Sequence, residues 1–286
     1  MNTLSDIETV GIVGAGVMGS GIAQVAATHG YDVVVHDIER GYVDAGLDTI
    51  ERNLDRAVSR DKLGRSDADD ARSRVRGTTA LVDLSAADVV VEAVVEQLDV
   101  KAEVFAELDD ITDDGVVFAS NTSTLSITSL GRATARPEQV VGVHFMNPVA
   151  LMEGVEIVPG EHTDEETVTF AHAFAESLDK TTWEADDKPG FLVNRVLVPW
   201  INEGIRAFDE GIATREDVDR GLKLGTNVPM GPLELADHIG LDVVLDASET
   251  LHDELGDRYM PAYLLKRKVA AGDLGRKTGQ GFYEYD

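Results

Sequence analysis

Up to about residue 186 the apolar residues come in short, dense runs; beyond it they recur every three or four positions. The runs at 9–13, 31–36, 87–94, 116–119 and 140–145 are rich in valine, as strands buried on both faces of a parallel sheet should be. Another, Val155-Glu156-Ile157-Val158, closely follows the last of these and reads as the second arm of a hairpin. Between the runs lie helical stretches. Small residues at Ser20, Gly21, Ala23, Ala26 and Ala27 share helical spacing, 41 to about 76 is long and polar, 100–110 is amphipathic, and 126–135 is helical too. Strands alternating with helices predict a doubly wound α/β domain over 1–187. After Lys188-Pro189-Gly190 the strand signal stops, and 191–209, 215–225, 233–252 and 263–271 carry helical periodicity. This predicts an all-helical C-terminal domain over 188–286, with a substrate cleft between the two.

The first turn narrows the picture. The run 9–13 leads into Gly14-Ala15-Gly16-Val17-Met18-Gly19 and then into the small-residue helix. A strand, a G-x-G-x-x-G turn and a helix N-terminus form a pyrophosphate site in Rossmann-type domains. Gly14 allows the tight turn, Gly16 lets phosphate approach the backbone, and Gly19 lets the helix lie close to the sheet. The next strand ends in Asp37, eighteen residues past Gly19, where an acid would hold a ribose 2′-hydroxyl. The same acid would repel a 2′-phosphate, so NAD is expected over NADP, with the neighbouring Arg40 as the feature that argues the other way.

The second candidate is His144 in Val-Gly-Val-His-Phe-Met-Asn-Pro, with Glu156 twelve residues on. If their strands pair, the carboxylate can hold one ring nitrogen and leave the other to take a proton. On its own such a pair is equally the mark of a structural hydrogen bond.

Composition bounds the rest. The chain has 286 residues, 43% of them hydrophobic, enough for a full core. No apolar stretch reaches the ~18 residues of a membrane span, and residues 1–8 carry no basic or signal-like segment, so a cytoplasmic protein is expected. Without cysteine there are no disulfides, thiol nucleophiles or thiolate metal sites, and no metal is expected. The 53 acids against 25 bases, a net of −28, are spread along the chain. That argues against a nucleic-acid partner and resembles the surfaces of proteins from salt-loving organisms, where concentrated cations screen the repulsion.

With these residues in view, the chain resembles the short-chain L-3-hydroxyacyl-CoA dehydrogenases, including the 3-hydroxybutyryl-CoA dehydrogenases. The likeness rests on GAGVMGSGIA at 14–23, VVEAVVE at 90–96, ASNTSTL at 119–125, HFMNPVALMEGVEI at 144–157, KPGFLVNRVLVPWINE at 188–203 and GRKTGQGFYEY at 275–285. It implies that His144 is the catalytic base and Glu156 its partner, with Ser123 and Asn194 completing the catalytic set and holding substrate. Asn194, in the helical part, would join the site when the domains close. For NAD, the resemblance adds Glu96, Lys101, Ser123, Asn147 and Lys277 to the glycine loop (Gly14, Gly16, Val17, Met18, Gly19) and Asp37. Glu96 reads as the end of a strand at the carboxyl edge of the sheet, and Lys101 as a residue that an exposed helix face would simply solvate. For CoA, the family uses the helix after Asp37, which places Asn53, Arg56 and Arg60 at the substrate; Arg56 and Arg60, four apart, share a face. Asp55 and Asp61 interrupt this basic run.

The expected reaction is NAD-dependent interconversion of a short-chain (S)-3-hydroxyacyl-CoA and its 3-ketoacyl-CoA, by a homodimer. Two rivals stand beside it: a dehydrogenase of the same fold acting on a free hydroxy acid or sugar acid, and a catalytically idle nucleotide-binding protein. The basic segment favours CoA over the first, and the intact set of Ser123, His144, Glu156 and Asn194 opposes the second.

Overall fold

The computed structural model describes Leu4 and residues 7–285. Residues 1–3, 5 and 6, part of the stretch from which the absence of a leader is expected, lie outside the described residues, as does Asp286. The chain divides into two compact units between Asp187 and Lys188.

The first unit runs β1 (Thr9–Val13), α1 (Val17–Thr28), β2 (Asp32–His36), α2 (Arg40–Ser59), α3 (Arg65–Arg74), β3 (Val75–Thr78) and β4 (Val89–Glu92). It continues with α4 (Leu98–Ile111), β5 (Val117–Ser120), α5 (Ile127–Gly131), β6 (Val140–Phe145), β7 (Gly154–Pro159), α6 (Glu165–Ser177) and β8 (Thr181–Glu184). One eight-stranded sheet has the order β3-β2-β1-β4-β5-β6-β7-β8. Its neighbours pair in parallel except β6 and β7, which are antiparallel. This is the doubly wound Rossmann-type order expected from the alternating pattern. The valine-rich central strands are buried along their whole length, because helices cover a parallel sheet on both faces.

The outer elements depart from the expectation. The polar stretch 41–76 is two helices and a strand rather than one helical region. Asp61, with φ 55°, and Gly64 separate α2 from α3, and 75–78 is β3. This strand pairs only with β2 at the sheet's edge, so half its side chains face water and its sequence, VRGT, lacks an apolar run. At the opposite edge β8 reads TTWE for the same reason. The helix expected over 126–135 shortens to Ile127–Gly131, with Ser126 as its cap, accepting the Ser129 N–H. Strand β4 ends at Glu92, so Glu96 does not end a strand; it lies in the loop that follows.

The second unit is helical, as expected: α7 (Val193–Asp209), α8 (Arg215–Thr226), α9 (Pro232–Ile239), α10 (Leu241–Leu255) and α11 (Tyr263–Ala271). Its core gathers Ile201, Ile205, Leu233, Leu241 and Leu265 with Phe282 from the C-terminal tail. Buried Asp237 pins that tail, accepting the Phe282 and Tyr283 N–H groups at 2.8 Å each and the Tyr285 hydroxyl at 3.0 Å. No helix among the described residues is long and apolar enough to cross a membrane.

Candidate active site

Strand register brings the proposed base and its partner together. On the antiparallel pair β6–β7, His144 lies directly opposite Glu156, and their side chains share one face of the sheet. His144 Nδ1 lies 2.7 Å from Glu156 Oε2, and the Glu156 side chain is 0% exposed. A carboxylate only accepts, so Nδ1 carries the hydrogen and donates it. That fixes the tautomer and leaves Nε2 as the nitrogen able to receive a proton. The third strand completes the clamp: Trp183, opposite Glu156 in the β7–β8 register, donates from Nε1 to Glu156 Oε1 at 3.3 Å. Trp183 escaped the sequence reading because an edge strand with no apolar run gave no register to count from.

The carboxyl ends of the neighbouring strands hold most of the remaining candidates. Asn121, just past β5, accepts the Phe145 N–H at 2.9 Å and ties the β5 turn to the strand carrying His144. Ser123 follows in a turn, half-buried, and Asn147 is exposed just past β6. Glu96 Oε1 collects the turn: the hydroxyls of Thr122 (2.6 Å), Ser123 (3.3 Å) and Thr124 (3.2 Å), and the N–H groups of Ser123 (2.9 Å) and Thr124 (3.2 Å). Burial pushes the Glu96 carboxyl's pKa up, but the charge of Lys101 and the donors of Thr122 and Ser123 outweigh it and hold the group below its ordinary value. Lys101 is not the solvated surface lysine that its helical spacing suggested. Its side chain is 1% exposed, with Nζ 2.6 Å from Glu92 Oε1 and 3.3 Å from Glu96 Oε2.

The glycine loop fits a dinucleotide. Gly14 has φ 103°, and a Cβ there would strike the Ala93 carbonyl oxygen at 2.5 Å; a Cβ on Gly19 would run into the Gly14 carbonyl. Beside Gly16 there is open space, which a phosphate can use. Helix α1 begins there with no side-chain cap and no acid in its first turn, so its amide dipoles meet an anion unopposed. Asp37 holds the rim of this loop, accepting the Ala15 N–H through Oδ2 and the Ile38 N–H through Oδ1, both at 2.8 Å. Arg40 is drawn off by Asp44 at 2.8 Å. Val17 is exposed and Met18 partly so.

The other candidates lie further out. Arg56 and Arg60 are exposed at the C-terminal end of α2, with Asn53 half-buried one turn earlier. Asp55, which seemed to spoil the basic run, instead pairs with Arg72 at 2.6 Å and Arg65 at 3.2 Å. In the second unit Asn194 is the second residue of α7, and Lys277 pairs with Asp242.

The comparisons with known proteins point to one family. The 3-hydroxyacyl-CoA dehydrogenase NAD-binding domain matches residues 9–188, and the C-terminal domain of the same family matches 190–285. A probable 3-hydroxybutyryl-CoA dehydrogenase of Deinococcus radiodurans is 48% identical over 277 residues, covering 96% of this chain and 99% of its own. The 3-hydroxybutyryl-CoA dehydrogenase of Bradyrhizobium diazoefficiens is 46% identical, covering 98% of this chain and 96% of its own. Among solved structures, (S)-3-hydroxybutyryl-CoA dehydrogenase from Ralstonia eutropha superposes with a TM-score of 0.92 at 45% identity, over 98% of this chain and 99% of that one. FadB2 of M. tuberculosis gives a TM-score of 0.96 at 43% identity, over the same shares. The chain belongs to the 3-hydroxyacyl-CoA dehydrogenase family and is an oxidoreductase that uses NAD.

Proposed function

We propose that this enzyme interconverts a short-chain (S)-3-hydroxyacyl-CoA and its 3-ketoacyl-CoA, with His144 as the general base. The observation that carries the reading is the buried 2.7 Å contact between His144 Nδ1 and Glu156. NAD, when bound, accepts the hydride from the alcohol carbon. His144 Nε2 takes the hydroxyl proton as the carbonyl forms, and Glu156 stabilises the imidazolium that results. Ser123 and Asn194 hydrogen-bond the substrate oxygens and orient the reacting carbon. The glycine loop, Asp37, Glu96, Ser123, Asn147 and Lys277 serve the nucleotide, with Lys101 held against Glu96, while Asn53, Arg56 and Arg60 serve CoA. Both arginines are exposed on one helix face, no ion pair of Arg56 or Arg60 occurs among the described residues, and the nearby Asp55 is taken by Arg65 and Arg72.

On this reading residues 1–187 bind NAD, and 188–286 supply Asn194 and the surface of a homodimer working in the cytoplasm. An apolar hollow of about 580 Å³ on the helical unit supports the dimer; Leu192, Val196, Leu197, Trp200, Pro229 and Met230 line it. Val196 is 63% exposed there, an arrangement that favours cover by another apolar surface. Light scattering of the purified protein should give twice the chain mass.

The decisive assay is NADH oxidation with acetoacetyl-CoA against free acetoacetate. Turnover of the thioester alone is expected; preference for the free acid would replace the CoA reading, and no turnover of either would leave a nucleotide-binding protein. We further read the net charge of −28 as adaptation to salt. The Debye length shrinks from ~30 Å at 0.01 M to ~3 Å at 1 M, removing repulsion that weighs most on the compact state. Melting temperature and activity should both rise from dilute buffer to molar KCl. Equal values at both would remove the halophilic reading and leave the enzyme intact.

A further inference from the structure

The strand that opens the β4–α4 loop ends in a charge the reaction does not use. Glu92 is the last residue of β4, 0% exposed, and both its oxygens are engaged. Oε1 accepts from Lys101 Nζ at 2.6 Å and from the Val94 N–H at 2.7 Å; Oε2 accepts from the Ser120 hydroxyl at 2.6 Å. Ser120 is its register partner at the end of β5, three residues before Ser123. Lys101 donates to Glu92 Oε1 and to the Val94 carbonyl at 3.3 Å, and its charge lies 3.3 Å from Glu96 Oε2, so its ammonium is engaged by the protein itself.

We propose that Glu92 and Lys101 are positioning residues. They lock the Glu96 carboxylate in place, and through it the 122–124 turn that presents Ser123 to the reacting groups. The inference rests on the role given to Ser123 above and revises the direct cofactor role expected for Lys101. One cation lies between two acids: Glu92 fixes it from the sheet, and it fixes Glu96 from the loop. Glu96 then offers Oε2 to the lysine and Oε1 to the turn. Five donors from three successive residues converge on Oε1, which an ionised carboxylate accepts and a protonated one satisfies poorly. A buried ion pair is sensitive to loss of one member, because the other stays behind unpaired. Among the described residues the charged group at ion-pair distance from Glu96 is Lys101 on α4, which itself faces Glu92 on β4. The β5–α5 turn contributes only neutral donors.

The sign of the pH effect follows. A carboxyl held low contributes stability that is present above its unfolded value and lost as pH falls through the folded one. Removing the cation moves that loss to higher pH. The test is Lys101→Met, with Lys101→Gln, which keeps two donors without the charge, as the variant more tolerant in folding. Each is followed by kcat and KM against pH, by NADH fluorescence titration, and by melting of the protein without nucleotide. Expected is a fall in kcat of roughly ten- to hundred-fold with NADH affinity near wild type, and an acid limb displaced to higher pH. The pH at which melting temperature starts to drop should move the same way. Both displacements should vanish when Glu96→Gln is added, since the titrating group is then gone. An acid limb and melting profile that stay in place overturn the proposal, as does NADH affinity weakened about ten-fold or more with kcat intact, which would mark a direct nucleotide contact. Ser123→Ala separates the two levels of the argument. A wild-type kcat there would defeat the reading of Ser123, while the melting profile of Lys101→Met would still report on the device.

Discussion

His144 with Glu156 and Arg56 with Arg60 are both pairs of spaced residues, yet they are built in opposite ways. The first pair meets because two antiparallel strands run in one register, and it is buried in the sheet, where Trp183 also donates to Glu156. The second pair shares a helix face because residues four apart always do, and it stands in solvent at the end of α2. Proton transfer needs atoms held to a fraction of an ångström in a fixed tautomer, which a sheet interior supplies. Drawing in a polyanion needs only positive charge at roughly the right place, which long exposed side chains supply. The difference teaches where substitution should be costly and where the chain has latitude.

The largest effect should come from the register-built pair. His144→Gln should lower kcat by ~10²- to 10⁴-fold and leave NADH binding, followed by fluorescence, close to wild type. A variant keeping wild-type turnover would erase the contrast altogether. Glu156→Gln should be milder, since Nδ1 still finds an oxygen. Its kcat should fall by less than that of His144→Gln, and a larger loss would contradict a supporting role for Glu156.

An intermediate effect is expected at Asp37, which shares features of both regions: partly exposed, yet fixed by two backbone N–H groups at the glycine loop. Asp37→Ala should weaken NADH binding by ~1–3 kcal/mol, measured by titration. It should also narrow the preference over NADPH, as the repulsion of a 2′-phosphate disappears. A wild-type enzyme preferring NADPH would turn attention to Arg40.

The smallest effect belongs to the helix-built pair. Arg56→Ala and Arg60→Ala should each raise KM for acetoacetyl-CoA and leave kcat alone. Exposed ion pairs are worth ~0–1 kcal/mol, so each change should be up to about five-fold, and smaller in molar salt. A loss of kcat from either would mean that this helix does more than attract CoA.

Part of this molecule could be read without coordinates because its signals are local. The glycine loop, the valine-rich central strands and the periodic helices of the second unit each carry their cause within a few residues: a required φ, burial on two faces, or a repeat of 3.6. Once 140–145 and 155–158 read as strands, His144 and Glu156 could be suspected as neighbours, and the order of the family's blocks pointed to the chemistry. The sequence could not assign what depends on lateral pairing. Strands β3 and β8 are polar because they lie at the edges of the sheet, and an edge is a property of the assembled sheet rather than of four residues. Lys101 looked like a surface lysine because its neighbours are helical and charged. Only the meeting of β4, β5 and α4 shows it buried against Glu92 and Glu96. Trp183 became visible at the site for the same reason, through a register set by β7. Local backbone demands and burial periodicity are written along the chain, so the sequence by itself determined the fold class, the nucleotide loop and the candidate base. Which buried charges touch depends on segments far apart in sequence, so the tertiary structure alone decided how Glu156 is clamped and how the Ser123 turn is held.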